Sequence, residues 1–305
     1  MIPRFLCPGD TVGICATARW LTDTQVHSAV TALEGWGFKV KVSAQVTQQD
    51  FQLAGSDVIR RQAFQDMLDD QTIQAICVAR GGYGTVRILD GLDWRGFLRN
   101  PKWVCGYSDI TAIHGELNRR GVASIHSTMP VSFSDCTSRA LESLREALTG
   151  SLSEIKWEAR EEFSGEVVGP VTGGNLSVLF SLLGSGSIPD MAGSILFLED
   201  VDEMHYHVDR MIEALKRAGV LRDVRAIIAG GFTQMRDNTR AFGFASDNPW
   251  GSDAEQILAD HCRALKIPFV IGMPAGHHAD NCAFYLGIPA TLHQQREVTQ
   301  LQFQL

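Results

Sequence analysis

Three side chains in this sequence, each just beyond a short apolar run, are of the types that nucleophilic hydrolysis needs: a serine, a glutamate and a histidine. Ser108 lies in the stretch Lys102 to Thr111, K-W-V-C-G-Y-S-D-I-T. Trp103-Val-Cys105 reads as a buried strand, Gly106 breaks it, and a helical pattern begins after the Ser108-Asp109 pair. A serine on such a strand-turn-helix step exposes its hydroxyl beside the first free N–H groups of the helix, which can hold an oxyanion. The same pair also suits a plain helix cap, because Ser and Asp are favoured there. Glu199 directly follows Ile195-Leu-Phe-Leu198, at the lip of a strand, where a carboxylate needs a cationic or N–H partner. His277 follows Gly276 past another short strand and could be that partner; taken alone, it reads equally as a surface-loop histidine. As a set, the histidine would take the hydroxyl proton, and the glutamate would fix its tautomer and stabilise the imidazolium.

Two other clusters compete for attention. Arg80 to Gly84, R-G-G-Y-G, ends a third apolar run, and its glycines let backbone N–H groups approach an anion. The spacing matches neither G-x-G-x-x-G nor a P-loop, which leaves an ordinary tight turn or an oxyanion donor beside Ser108. In the second half, His205-x-His207 and His277-His278 offer imidazoles, and Glu199, Asp200, Asp202 and Glu203 offer carboxylates, as a zinc site would require. No H-E-x-x-H spacing occurs, and the acids from Asp202 on equally suit the start of a helix. The seven cysteines are scattered without C-x-x-C spacing, so reduced thiols are expected rather than a disulfide framework or zinc ribbon.

These residues need elements to position them. Apolar runs predict strands over 11–16, 38–42, 73–79, 103–105, 123–126, 194–198, 226–229 and 269–271. Helical periodicity falls between them, over 24–36, 56–69, from about 85, then 112–120, 138–148, 176–183, 206–218 and 253–265. In the second of these helices the apolar positions are Val58, Ile59, Phe64, Met67 and Leu68. Such alternation predicts a parallel sheet covered on both faces, with ligands gathered at the carboxyl ends of its strands. The character changes over 151–168, where a Gly-Ser turn precedes alternating charges at Glu154, Lys156, Glu158 and Arg160, consistent with a linker and an exposed strand. The expected fold is therefore α/β: an N-terminal parallel-sheet domain over 1–150, then a C-terminal mixed α/β domain over 169–305 with a β-rich closing segment. The active site would lie at their interface.

The whole chain sets outer bounds. Its 305 residues are enough for two domains at roughly 150 residues each. With 27 basic against 35 acidic side chains, the net charge of −8 lacks the basic footprint of a nucleic-acid or anionic-membrane binder. No apolar run approaches the roughly 18 residues of a membrane span, and no signal-peptide pattern opens the sequence, so a cytoplasmic location is expected.

Taken in order, R-G-G-Y-G, G-Y-S-D (Gly106 to Asp109), G-G-N-L (Gly173 to Leu176), L-E-D-V-D-E (Leu198 to Glu203) with Arg210, and Gly276-His277 resemble the murein LD-carboxypeptidases. The microcin C immunity peptidases belong to the same serine peptidase family, and the resemblance spans nearly the whole chain. It implies a peptidase with no cofactor and no metal, in which Ser108 is the nucleophile, His277 the base and Glu199 its orienting acid. The implied oxyanion donors are the N–H groups of Asp109 and Gly82; Arg80, Tyr107 and Asn175 are the candidate substrate contacts, with Arg80 either taking the free carboxylate that a carboxypeptidase must recognise or bracing the turn. The implied reaction releases terminal D-alanine from a murein tetrapeptide during cell-wall recycling, by a homodimer. The immunity branch implies instead cleavage of a peptidyl- or aminoacyl-nucleotide, which a base-stacking aromatic in an inserted loop would favour. The short spacing between Asn175 and Glu199 leaves little room for such an insertion, so a small murein peptide is the expected partner. A metal-dependent hydrolase and a non-catalytic binding module are the remaining readings. Two stretches depart from the family pattern: Ala16-Thr-Ala-Arg19 stands where an A-P-S-G type turn is usual, and Phe284-Tyr-Leu-Gly287 where Leu-Pro-Leu-Gly is.

Overall fold

A computed structural model describes residues 1–158, 165–295 and 298–305. Apolar strands alternate with helices through the first half: β1 Thr11–Cys15, α1 Asp23–Gly35, β2 Lys39–Val42, α2 Asp57–Asp69, β3 Ile73–Val78, α3 Arg95–Arg99, β4 Trp103–Gly106, α4 Thr111–Arg119, β5 Ser124–His126 and α5 Ser138–Thr149. The second half continues with β6 Glu154–Glu158, β7 Glu166–Asn175, α6 Leu176–Ser181, β8 Ile195–Val201, α7 His205–Arg217, β9 Ala226–Thr233, α8 Ala254–Leu265, β10 Phe269–Gly276, β11 Phe284–Leu286, β12 Pro289–Gln295 and β13 Val298–Phe303.

These strands form two sheets, so the chain has the expected two α/β units. The first has the order β11-β5-β4-β3-β1-β2, in which β1 to β5 are parallel and β11 is antiparallel to β5. The second has the order β10-β9-β8-β7-β12-β13-β6, parallel from β7 to β10 and antiparallel through β12, β13 and β6. Burial explains the parallel parts: β3 reads I-Q-A-I-C-V and β8 begins I-L-F-L, near-continuous apolar runs of strands covered on both faces. Among the described residues no helix is long and apolar enough to cross a membrane.

Several elements differ from expectation in instructive ways. Of the segment 151–168, residues 154–158 form β6 at the edge of the second sheet, and 159–164, with Arg160, lie outside the described residues. Thr172 to Asn175 ends β7. In place of a helix from Thr85, the chain makes two 3₁₀ turns, Thr85–Arg87 and Leu89–Gly91, before the short α3. Gly91 costs helix stability there, and a methyl on it would meet Arg61 Nη1 at 2.5 Å. On α2 the outward and inward faces also shift. Val58 and Ile59 are exposed, at 63% and 41%, while Arg60 is fully buried with Phe64, Met67 and Leu68.

The two units share a seam of aromatic rings. The His126 ring stacks on Phe284 at 4.6 Å and meets the edge of Phe197, from β8, at 5.1 Å. Burial holds this imidazole well below its ordinary pKa of 6.5. Above the seam, the Asn175 N–H donates to Thr111 Oγ1 at 3.0 Å, which joins the end of β7 to the start of α4. The carboxyl ends of the parallel strands in both sheets therefore face one place.

Candidate active site

Ser108 is reached by a backbone that only a sharp step allows. Gly106 has φ 159°, Tyr107 is extended, and Ser108 itself takes φ 63°, a left-handed conformation that disfavours any side chain. A single 3₁₀ turn, Ser108–Ile110, then leads into α4. Neither Ser108 nor Asp109 caps the helix with its side chain. Ser108 Oγ lies 3.1 Å from His277 Nε2, and Asp109 Oδ2 accepts the Thr85 N–H at 2.9 Å. Burial, before any other influence, raises the pKa of the Asp109 carboxyl. The Asp109–Thr85 bond ties the R-G-G-Y-G turn to the residue that follows the serine.

His277 and Glu199 reach this point from the second sheet. The pairing of β8 with β9 slips between Leu198 and Asp200, and such irregularities re-aim side chains. Glu199 is fully buried there, and its Oε2 lies 2.6 Å from His277 Nδ1. Its Oε1 has no hydrogen-bond partner among the described residues, so the carboxylate's polar contact is with the histidine. Burial of His277 opposes its charged form, yet the charge and hydrogen bond of Glu199, with Asp200 behind it, raise its pKa above 6.5. Gly276 makes the close approach possible: it has φ 116°, and a methyl there would sit 3.0 Å from Glu199 Cβ and Oε2. Gly276→Ala is therefore expected to lower kcat about 100-fold by displacing the His–Glu pair, with little change in KM.

The chain brings together Ser108, His277 and Glu199 in one hydrogen-bonded line, although they are 78 and 169 residues apart. The R-G-G-Y-G turn abuts the serine, since a methyl on Gly81 would meet Ser108 Oγ at 3.3 Å and Asp109 N at 3.4 Å. The Gly81–Gly82 peptide thus runs beside the hydroxyl. The Tyr107 ring packs on His277 with 4.8 Å between centroids, and burial pushes its hydroxyl up to about 12. The Asn175 side chain is buried, donating to Asp200 Oδ1 at 2.8 Å and accepting from Ser177 Oγ and Val178 N, so it braces Asp200. Arg80 is half-buried beside the turn. The imidazoles and carboxylates offered for zinc do not converge: His207 Nδ1 bonds Glu203 at 2.8 Å, His205 lies 3.7 Å from Asp237, and among the described residues no group of three or more ligands could hold a metal.

Two residues support the site: Arg60, which the sequence does not single out, and Asp200, which it offers only as a metal ligand. Arg60 donates to the carbonyls of Thr17, Gly84 and Gly55, clasping the loops that follow β1 and β3. Its spacing with Phe64 and Met67 on one helix face was the available signal. Asp200 accepts from Asn175, Val201 and Ser177, and burial, then the charge of Glu199, pushes it up to about 7. Beside His277 opens a cleft of about 330 Å³, lined by Tyr107, Thr128, Ser132, Asp135 and Gln234 among others.

Residues 12–127 match the LD-carboxypeptidase N-terminal domain, and residues 168–292 match the LD-carboxypeptidase C-terminal domain. The chain belongs to the LD-carboxypeptidase family. It is 31% identical to a probable murein peptide carboxypeptidase of Bacillus subtilis, over 98% of this chain and 94% of that one. The muramoyltetrapeptide carboxypeptidase of Oxalobacter formigenes superposes with a TM-score of 0.86 at 27% identity, covering 96% of this chain and 98% of the other. The microcin C7 self-immunity protein of Escherichia coli is 29% identical over 74% of this chain and 76% of its own length. As an LD-carboxypeptidase family member, the chain is a serine hydrolase acting on peptide bonds.

Proposed function

We propose that this protein is a serine LD-carboxypeptidase that releases terminal D-alanine from a murein tetrapeptide. The observation that carries the reading is the Ser108–His277–Glu199 line, standing beside a cleft of a size for a short peptide. Ser108 Oγ attacks the scissile carbonyl while His277 Nε2 takes its proton, and Glu199 holds the imidazolium at Nδ1. The N–H groups of Gly82 and Asp109 receive the oxyanion. Collapse of the tetrahedral species breaks the C–N bond, and His277 returns its proton to the departing amine of D-alanine. Water, deprotonated by the same imidazole, then cleaves the acyl-serine ester and restores the hydroxyl.

The base must be neutral to act, and its raised pKa places the loss of activity higher than an ordinary imidazole would. As pH falls, kcat/KM is expected to decline through a midpoint above 6.5. A pH profile of D-alanine release checks this.

One feature supports a peptidyl- or aminoacyl-nucleotide as substrate instead. Between β9 and α8 the chain runs from Gln234, on the cleft, through exposed Phe242, Phe244 and Trp250, rings on which a base could stack. Incubating the protein with murein tetrapeptide and, separately, with an aminoacyl sulfamoyl adenylate distinguishes the two. Release of D-alanine with the adenylate left intact is expected; cleavage of the adenylate with the tetrapeptide ignored would overturn the murein reading.

A further inference from the structure

Arg19, Arg80 and Ser108 follow β1, β3 and β4, three strands adjacent in the first sheet. Neighbouring strands lie about 4.8 Å apart, so the end bearing Arg19 is about 10 Å from the end bearing Ser108, with Arg80 between them. The R-G-G-Y-G turn spans this gap. A methyl on Gly81 would meet Ser108 Oγ at 3.3 Å, whereas one on Gly82 would meet Arg19 Nε at 2.6 Å and Cδ at 2.7 Å. Hydroxyl and guanidinium therefore flank the two ends of a single peptide unit, about 3.8 Å long between Cα atoms.

The two arginines stand close together without an acid between them. Arg80 Nη1 donates to the carbonyl of Trp20, next to Arg19, at 3.4 Å. Arg19 Nε is shielded from solvent and has no hydrogen-bond partner among the described residues. Among the described residues neither guanidinium has a carboxylate partner. Asp109 lies within electrostatic reach of Arg19, but its carboxylate is engaged by the Thr85 N–H and burial raises its pKa. Burial, and then the charge of Arg19, lowers the pKa of Arg80. Like charges held together in a half-buried position are costly unless an anion joins them.

On the opposite side of Ser108, toward β5, the cleft presents Asp135 and, among the described residues, no Lys or Arg, which disfavours a terminal carboxylate there. The distance on the arginine side suits one residue. A residue spans at most about 3.6 Å, and a charge-assisted hydrogen bond adds about 2.8 Å.

Building on the carboxypeptidase reading above, we propose that Arg19 and Arg80 jointly bind the substrate's terminal carboxylate. The peptide then lies across the strand ends, with its leaving residue toward β1 and its acyl part in the cleft toward β5. The enzyme is an exopeptidase in this arrangement because the clamp stands one residue from the nucleophile.

The test compares an N-acylated tetrapeptide ending in D-alanine with the same peptide ending in D-alanine amide, read as the ratio of their kcat/KM values. Arg19→Gln and Arg80→Gln are each expected to lower the acid-to-amide ratio about 10- to 100-fold. Arg19→Lys and Arg80→Lys, which keep the charge, are expected to hold it within about tenfold of wild type. An unchanged ratio in the Gln variants, or equal losses on both substrates, would overturn the clamp while leaving the carboxypeptidase reading standing. A wild-type protein that releases nothing from either peptide would overturn that reading, and the clamp with it.

Discussion

Ser108→Ala is expected to lower kcat for D-alanine release by roughly 10⁶-fold, with the protein still folded and still binding the tetrapeptide. The size of the effect follows from the way the hydroxyl is held. A left-handed Ser108 is retained at a cost of roughly 1–2 kcal/mol against an ordinary backbone, and the conformation sets its Oγ 3.1 Å from His277 Nε2. Alanine keeps that backbone and the Asp109–Thr85 bond but removes the atom that forms the ester. Residues acting as one unit are not additive, so Ser108→Ala combined with His277→Ala is expected to be no slower than either alone. Stopped assays for free D-alanine, alongside near-ultraviolet circular dichroism, check the rate and the fold together. A double variant much slower than the singles would mean that His277 acts on something other than the serine proton.

Glu199→Gln is expected to lower kcat by roughly 10⁴-fold while changing the volume of a fully buried side chain very little. The carboxylate accepts from His277 Nδ1 at 2.6 Å, which leaves Nε2 bare to receive the serine proton. A glutamine can turn an N–H toward Nδ1, and the ring then carries its proton on Nε2, facing the serine. Loss of the charge also removes the influence that holds the imidazole pKa up against its burial. The acid limb of the remaining activity is therefore expected to move to lower pH. A variant with near-normal kcat, or with an unmoved limb, would show that Glu199 has only a packing role.

The candidate triad was legible because each member follows closely on a run of residues that must be buried, near the carboxyl end of a strand, although Glu199 falls within β8, two residues before its end. Ser108 follows W-V-C-G, Glu199 follows I-L-F-L, and His277 follows the end of β10. Parallel sheets put such ends on one edge, so residues far apart in sequence were expected to meet. Reading Arg60 needed tertiary information. A charge among apolar helix positions is ordinarily assigned to solvent, and its burial becomes sensible only when the carbonyls of Thr17 and Gly84 are seen converging on it. The bonds that hold Asn175 are hidden for a similar reason, since they depend on Asp200 lying directly across from α6. The crossing of β11 into the first sheet was hidden as well. Three residues from Phe284 pair antiparallel with a strand about half the chain away, and no local pattern encodes that choice. The helix expected from Thr85 illustrates the converse: helical spacing was present, but Gly84 at φ 135° and Gly91 favour short turns.

In the proposed reaction the Ser108 hydroxyl, and no bound metal, cleaves the bond to D-alanine. This is tested most directly by measuring D-alanine release from murein tetrapeptide by the wild type with and without a chelator, and by Ser108→Ala under the same conditions. The expected result is release that survives chelation and disappears in Ser108→Ala. Release that chelation abolishes but Ser108→Ala retains would contradict it.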